Sequence, residues 1–306
     1  MSSDRIFLGL ALRVLAVLLL TTMSAIIKLA QLHGANLVEI MFYRQLCAVP
    51  LLVAWAAASP AGLAGLRTQR IWRHVTRSTI GLIGMFFTFG AVILLPLAEA
   101  TTLSFTTPIF ATILGALFLK EPTGWHRWGA VILGFAGVVI VAQPSGNDVS
   151  VWGALVGLMA AMMIALVAIQ LRSLGKTEAP ITTVFYFSLL SVPPLTLFYA
   201  FFWQAHDGFT WALLVAIGLV GGCGQVAFSA ALRYAPVSSV MPMDYTGLLW
   251  ATLYGWLLFG ILPTWATWIG APIIIVSGLY ILWRERVRHR QAQDGPAELS
   301  AAATRP

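Results

Sequence analysis

Ten long apolar segments alternate with short polar connections along this chain of 306 residues. A helix needs about 20 mainly apolar residues to cross the hydrocarbon core of a membrane, and each segment comes close to that length. The pattern therefore predicts an all-α membrane protein with ten transmembrane helices. The predicted spans are 6–30, 36–58, 75–95, 98–119, 125–142, 151–172, 181–203, 211–232, 237–260 and 265–283.

The second half of the chain repeats the first at a nearly constant shift in residue number. WHRWGAVILGFAG begins at Trp125 and WATWIGAPIIIVSG begins at Trp265, and the pair FY at 42–43 recurs at 185–186. Other residues that recur at this spacing are Thr106 and Thr246, Gly81 and Gly221, and Gly84 and Gly224. We therefore expect two five-helix repeats, 1–145 and 146–285, followed by a polar cytoplasmic tail, 286–306, that is predicted to be disordered.

Lysine and arginine placement predicts the orientation of these spans. With the N-terminus in the cytoplasm, sixteen of the eighteen basic residues lie on the inner side, and the outer loops carry Asp148 and Asp207 but no Lys or Arg. Arg13 is counted as inner because a long side chain can snorkel to the surface. Both termini are then cytoplasmic, by the positive-inside rule. Because five is an odd number, the second repeat must insert upside down, and inverted repeats around a central cavity are the architecture of alternating-access carriers.

Composition limits the other classes of function. Hydrophobic residues make up 59% of the chain and charged residues 9%, and the mean hydropathy is +0.87, whereas a soluble domain is about 25% charged. The net charge of +7 comes from scattered residues rather than a basic face, which argues against a nucleic-acid partner. The two cysteines lie in apolar spans, and all five histidines lie in loops, at span ends or in the tail. The sequence therefore predicts no enzyme activity, no cofactor and no metal site.

Two passages resemble the repeat of the EamA family in the drug/metabolite transporter superfamily. They are TTLSFTTPIFATILGALFLKEP with WHRWGAVILGFAGVVIV in the first half, and PMDYTGLLWATLYGWLLFGILPTWATWIGAPIIIVSGLYI in the second. The resemblance covers 5–285 and implies ten helices, inward termini and transport of small metabolites, often outward. It places the family's terminal glutamate at Glu121, while Ile261 stands at the corresponding position of the second half.

Charged residues inside spans are the first candidates for substrate binding, because an ion facing lipid is costly. Arg44 lies within the second span and Asp244 within the ninth. Arg44 is a candidate for binding a carboxylate, and Asp244 for binding an ammonium group or a proton. The alternative is that each one tethers neighbouring helices. Lys28 and Glu39 lie near the outer ends of their spans and are predicted to pair.

Hydroxyl and aromatic residues near span prolines are the second group of candidates. Proline frees a helix carbonyl, which is tolerated in a membrane where protein or water satisfies it. The segments beside Pro108 and Pro242 are therefore expected to line the cavity. The candidates in this group are Ser104, Thr106, Thr107, Tyr245 and Trp250, with weaker ones at Tyr43, Phe86 and Gln225.

The sequence thus predicts a multi-pass carrier of a bacterial inner membrane that exports amino acids or similar small metabolites by alternating access. The alternative is a permease that takes up a larger metabolite, such as S-adenosylmethionine or a vitamin. The expected partners are a small-molecule substrate, the lipid bilayer and a proton as coupling ion, and the protein is expected to be a monomer or a homodimer.

Overall fold

Helices account for nearly all of the protein. The computed structural model describes residues 3–60, 62–118, 124–142, 150–174, 177–234 and 240–303, and no strand is assigned within these ranges. Two 3₁₀ segments, Gly62–Leu66 and Met241–Thr246, accompany the α-helices. The α-helices are α1 Ser3–Leu32, α2 Leu37–Ala58, α3 Ile71–Leu94, α4 Leu97–Ser104, α5 Thr107–Phe118, α6 Trp125–Ala142, α7 Val151–Leu174, α8 Pro180–Phe202, α9 Gly208–Tyr234, α10 Gly247–Phe259 and α11 Trp265–Ala303.

The predicted spans correspond to these helices. Within the described residues, nine helical segments are long and apolar enough to cross a membrane, and α4 and α5 together form one of them. The remaining span, the ninth in the predicted order (237–260), consists of the 3₁₀ segment Met241–Thr246 and α10, which follow each other without a gap. Large apolar side chains such as Trp72 and Leu257 are exposed, as expected where lipid replaces water. The ten-helix prediction is confirmed.

Spans four and nine are each interrupted at corresponding positions. The α-helix breaks between α4 and α5 at Phe105–Thr106, and the 3₁₀ segment of span nine ends at Thr246. The Thr106 hydroxyl donates to the Leu103 carbonyl, and the Thr246 hydroxyl donates to the Met243 carbonyl, at 2.7 Å in both cases. The two bonds are related by the same shift that relates the two tryptophan-rich passages. The repeat in sequence is therefore also a repeat of local structure.

Helix contacts follow the same symmetry. Helix α1 packs on α9 as α3 packs on α7, and exchanging the two halves of the chain converts one contact into the other. The pairs α2 with α8, α6 with α11 and α4 with α10 also pack together, and each of these pairs is its own equivalent. A two-fold axis relating five-helix halves produces this arrangement. Since each half crosses the membrane an odd number of times, the two halves are inverted.

The last spans of the two halves approach closely through glycine. A Cβ on Gly270 of α11 would lie 2.7 Å from the Gly137 carbonyl oxygen of α6, and one on Gly137 would lie 3.0 Å from the Gly270 oxygen.

Beyond its membrane-spanning part, which ends at Arg284, α11 continues to Ala303. The sequence predicts a disordered tail there, whereas these residues are helical in the structure. The alanine, glutamine and arginine residues of this segment are good helix formers, and the helix continues through Gly295 and Pro296, which are poor ones.

Candidate functional site

Asp244 forms a bidentate ion pair with Arg13. The Nε and Nη2 atoms of Arg13, on α1, donate to the two carboxylate oxygens of Asp244 at 2.6 Å each. The guanidinium also lies 3.8 Å from the ring centroid of Phe228 on α9, and Arg13 is 3% exposed. The prediction that Arg13 snorkels to the inner surface is wrong, because a carboxylate within reach and an aromatic face satisfy the charge inside the protein.

Lys28 and Glu39 do not pair with each other, so that prediction is also wrong. The Lys28 ammonium donates to carbonyls at the C-terminal end of α3, with Leu95 O at 2.6 Å. A lysine at this position satisfies carbonyls that have no partner within the helix. Glu39 accepts the backbone N–H groups of Asn36 and Gln204, each at 3.0 Å, and its carboxylate lies 3.0 Å from His206 Nε2. Both residues therefore close helix ends at the predicted outer side.

Glu99 connects the two repeats at the same side. It lies at the start of α4 and is completely buried. Its Oε1 accepts the Thr264 N–H at 3.2 Å and the Thr267 hydroxyl at 3.1 Å, at the start of α11. A carboxylate at a helix N-terminus is favoured by the unpaired N–H groups there. The contact joins a first-repeat helix to a second-repeat helix.

Arg44 lies beside a second buried arginine, Arg77, which is not among the candidates that the sequence predicts. The guanidinium carbon of Arg44 is 5.8 Å from the ring centroid of Phe187, and that of Arg77 is 4.6 Å from the same centroid. All three side chains are buried, and Arg44 Nη1 donates to Gln45 Oε1. Arg77 is one of the sixteen basic residues that the sequence assigns to the inner side, although it lies inside the predicted third span, one helical turn before the repeated Gly81. A charged residue inside a predicted span is a candidate for solute binding, so this position could have identified Arg77 from the sequence.

Tyr43 belongs to an aromatic cluster between α2, α8 and α9. Its hydroxyl is 3.1 Å from that of Tyr199, and its ring is 5.5 Å from the ring of Trp211. Phe42 stacks on Tyr199 at 4.5 Å. Tyr43 is therefore adjacent to Arg44 in the sequence but contacts a different group of side chains.

The hydroxyls of span four bond within their own chain segment. Ser104 donates to Thr101 O and Thr107 donates to Ser104 O, both at 2.7 Å. The Ser104 carbonyl is the one that Pro108 leaves without an N–H partner, so Thr107 replaces that bond. Together with the Thr106 bond described above, these contacts stabilise the break in the helix. In each of them the hydroxyl proton is donated to a backbone carbonyl of the same segment.

Tyr245 and Trp250 lie in span nine, and Gln225 lies on α9. The Tyr245 ring packs edge-on against Phe105 at 4.9 Å, and its hydroxyl lies where a side chain on Gly278 of α11 would project. The structure thus brings Tyr245 to the interrupted segment of span four. The Trp250 indole N–H is buried and has no partner among the described residues. Gln225 is partly buried on the helix that packs against α1.

Phe86 lies apart from the other candidates. It is 50% exposed and lines a groove of about 560 Å³ between the α1–α2 loop, α3 and α7, with Leu37, Ile93 and Trp152. None of Arg44, Tyr245 or Asp244 lines this groove. Glu121, at the family's glutamate position, lies outside the described residues.

Comparison with known proteins gives one consistent family. A riboflavin transporter of Vibrio cholerae is 33% identical over 231 residues, which are 75% of this chain and 77% of that protein. The pseudopaline exporter CntI of Pseudomonas aeruginosa is 29% identical over 273 residues, covering 88% of this chain and 94% of the exporter. A protein of known crystal structure, 21% identical, superposes with a TM-score of 0.60 over 92% of this chain and 98% of its own, which shows the same fold.

The sequence profile of the EamA-like transporter family matches twice, once in each repeat. The matched residues are 7–143 and 151–283, which together cover nearly all of the helical bundle. The two matched ranges coincide with the two halves that the helix contacts relate by a two-fold arrangement. This chain belongs to the EamA-like transporter family.

Proposed function

We propose that this protein is a secondary transporter that takes up a metabolite of the size of a vitamin or of S-adenosylmethionine. The observation that carries the proposal is the pair of interrupted spans, four and nine, which pack against each other across the two-fold arrangement. Discontinuous spans at a repeat interface are where carriers of this type bind their solutes. The riboflavin transporter of Vibrio cholerae supports a vitamin-sized solute, and an S-adenosylmethionine uptake transporter of Rickettsia felis, 28% identical over 72% of this chain, supports uptake.

Export of amino acids or related compounds is the second candidate function. The observation that favours it is the match to the pseudopaline exporter, which extends over 88% of this chain. The name of this relative specifies export, and the influx and efflux measurements described below distinguish the two directions.

Contacts at the two ends of the bundle suggest how access alternates. Towards the predicted inner side, Arg13 of α1 holds Asp244 in the 3₁₀ segment of span nine. At the predicted outer side, Glu99 of α4 holds Thr264 and Thr267. Both contacts join one repeat to the other, so rocking the repeats must break one of them while the other is kept. Protonation of either carboxylate would weaken its contact, which is the basis for proposing a proton as the coupling ion.

The remaining predictions concern placement in the cell. A bacterial inner membrane, cytoplasmic termini and a monomer or homodimer are part of the proposal. The supporting observation for orientation is the distribution of Lys and Arg over the loops, since loops rich in these residues stay in the cytoplasm.

Transport in proteoliposomes tests the proposal. Purified protein is reconstituted and supplied with labelled riboflavin, S-adenosylmethionine and a panel of amino acids, with and without a pH gradient, and both influx and efflux are followed. We expect saturable uptake of a vitamin-sized solute that a pH gradient accelerates. Saturable movement of amino acids alone would support the second candidate. Rates equal to those of protein-free liposomes for all these solutes would contradict both.

A further inference from the structure

Arg44 and Arg77 are two buried cations without a carboxylate partner among the described residues. The ion pairs that the structure shows within those residues involve Arg13, His74 and His206 as the basic members. Arg44 is 4% exposed and Arg77 is 9% exposed. The Nε of Arg44 and the Nε and Nη1 of Arg77 are buried and lack hydrogen-bond partners there. Burying unpaired guanidinium groups is costly, so a partner of opposite charge is expected.

These arginines lie where the two repeats meet. Arg44 and Phe187 occupy corresponding positions of the two halves, because each comes directly after the recurring FY pair, at 42–43 and at 185–186. The two side chains nevertheless contact each other. A residue that contacts its own counterpart lies next to the axis relating the halves. Arg77 joins them from α3. A solute bound at this point is nearly equidistant from both faces of an inverted-repeat protein.

Two corresponding glycines make room for the arginines. A Cβ on Gly81 would collide with Arg77 Nη1 and would lie 2.8 Å from Phe187 Cε2. A Cβ on Gly221, its counterpart in the second repeat, would lie 2.5 Å from Met23 Sδ and 3.7 Å from Arg44 Nε. Larger residues at either position would displace the side chains that surround the two guanidinium groups.

We propose that Arg44 and Arg77 together bind the oxyanion of the transported solute, a carboxylate or a phosphate, beside the ring of Phe187. Guanidinium groups match oxyanions because their N–H donors form a planar fork. The neighbouring ring provides a surface for an apolar or aromatic part of the same solute. This inference rests on the proposed function, and it favours solutes with a carboxylate, such as S-adenosylmethionine, over uncharged riboflavin.

Binding to the purified full-length protein in detergent tests the site directly. The probes are benzoate, inorganic phosphate and, as an uncharged analogue, benzyl alcohol, at constant ionic strength, with thermal stability as the readout. We expect at least one of the two anions to stabilise the wild-type protein, and the stronger one identifies the preferred oxyanion. Benzyl alcohol should give no stabilisation that depends on the arginines. Failure of both anions to stabilise the wild-type protein at about 10 mM, well above a weak dissociation constant, would overturn the proposal.

Variants separate a binding role from a packing role. Arg44→Gln and Arg77→Gln should each weaken anion binding about tenfold or more, because a hydrogen bond to a charged group is lost. Arg73→Gln is the matched control: it lies one turn before Arg77 on α3, is exposed and contacts Ser173. Anion binding by both glutamine variants at wild-type strength would overturn the site.

Lysine variants cover the case in which glutamine prevents folding. Arg44→Lys and Arg77→Lys keep the charge but lose the fork, so anion affinity should fall by a smaller factor than in the glutamine variants. Unchanged affinity in both lysine variants would contradict recognition by paired forks. If the wild-type protein binds anions but transports none of the solutes, the proposed function is contradicted, while the anion-binding site remains supported. If the wild-type, Arg44→Gln and Arg77→Gln proteins all transport riboflavin alone and at equal rates, the oxyanion site is contradicted, while the proposed transport function remains supported.

Discussion

Arg13 donates from Nε and Nη2 to both carboxylate oxygens of Asp244 at 2.6 Å, and so joins α1 to the segment that precedes α10. The two residues are 231 positions apart and belong to different repeats. The acid that stands alone in the sequence of span nine is thus held by a basic residue of span one. The Asp244 carboxylate is therefore held by Arg13 from the other repeat.

Removing one member of the pair is expected to destabilise the protein more than removing both. Asp244→Asn leaves Arg13 buried without a counter-charge, which should cost about 3 kcal/mol. The double variant Arg13→Gln with Asp244→Asn leaves two neutral groups and should recover most of that loss. Thermal unfolding of the single and double variants in detergent measures the coupling between the two residues.

The transport assay of the same variants tests the gating role. If the pair closes the predicted inner side, the double variant should fold yet transport with altered kinetics, since one closing contact is missing. Additive stability losses in the double variant, together with wild-type transport, would show that the pair neither couples nor gates.

Gly270→Ala is expected to destabilise the contact between α6 and α11. The added Cβ would lie 2.7 Å from the Gly137 oxygen and 2.6 Å from Val141 Cγ2, and overpacking of this kind costs about 1–3 kcal/mol. The control is Gly129→Ala, at the corresponding position of the first repeat, where nothing lies within 4 Å of the new Cβ. Alanine there should be neutral or stabilising, by up to about 1 kcal/mol from helix propensity. Equal melting temperatures of the two variants would contradict the close approach.

Thr106→Val is expected to lower stability by about 1 kcal/mol, the usual value of one hydrogen bond. Valine keeps the shape of threonine but cannot donate to the Leu103 carbonyl, and Thr106 is completely buried. Thr246→Val should behave in the same way in the second repeat. Thr79→Val provides the control, since Thr79 makes a similar bond to Val75 but is exposed on α3. A loss in the control as large as that in Thr106→Val would show that the effect is unrelated to the break.

The predicted orientation can be tested by cysteine labelling in intact cells, in a variant without Cys47 and Cys223. A cysteine at Asp207, in the loop before α9, should react with an impermeant reagent from outside. Cysteines at Gln69 and Ser173, which are both exposed, should react only after the membrane is opened. If the cysteine that replaces Gln69 reacts from outside, the topology is the inverse of the predicted one, and the assignment of basic loops to the cytoplasm is contradicted.

The class of protein and its internal repeat can be predicted from the order of the amino acids alone. Apolar length sets the number of crossings, because backbone groups in lipid must be satisfied within a helix. Recurrence of glycine, threonine and tryptophan at one spacing revealed the two halves, and the positions of Thr106 and Thr246 marked the spans that the structure shows to be interrupted. These features depend on local composition and on order along the chain, so they can be read without coordinates.

Which charged groups contact each other could be seen only in the folded protein. The sequence suggested a pair between Lys28 and Glu39, and it left Asp244 alone and Arg13 at the surface. In the structure Lys28 caps α3, Glu39 contacts His206, and Arg13 reaches Asp244 from a helix of the other repeat. Arg77 likewise became a companion of Arg44 through contact with Phe187. The physical reason is that ion pairs depend on a few ångströms of separation between side chains on different helices, and the packing of the two repeats fixes those distances.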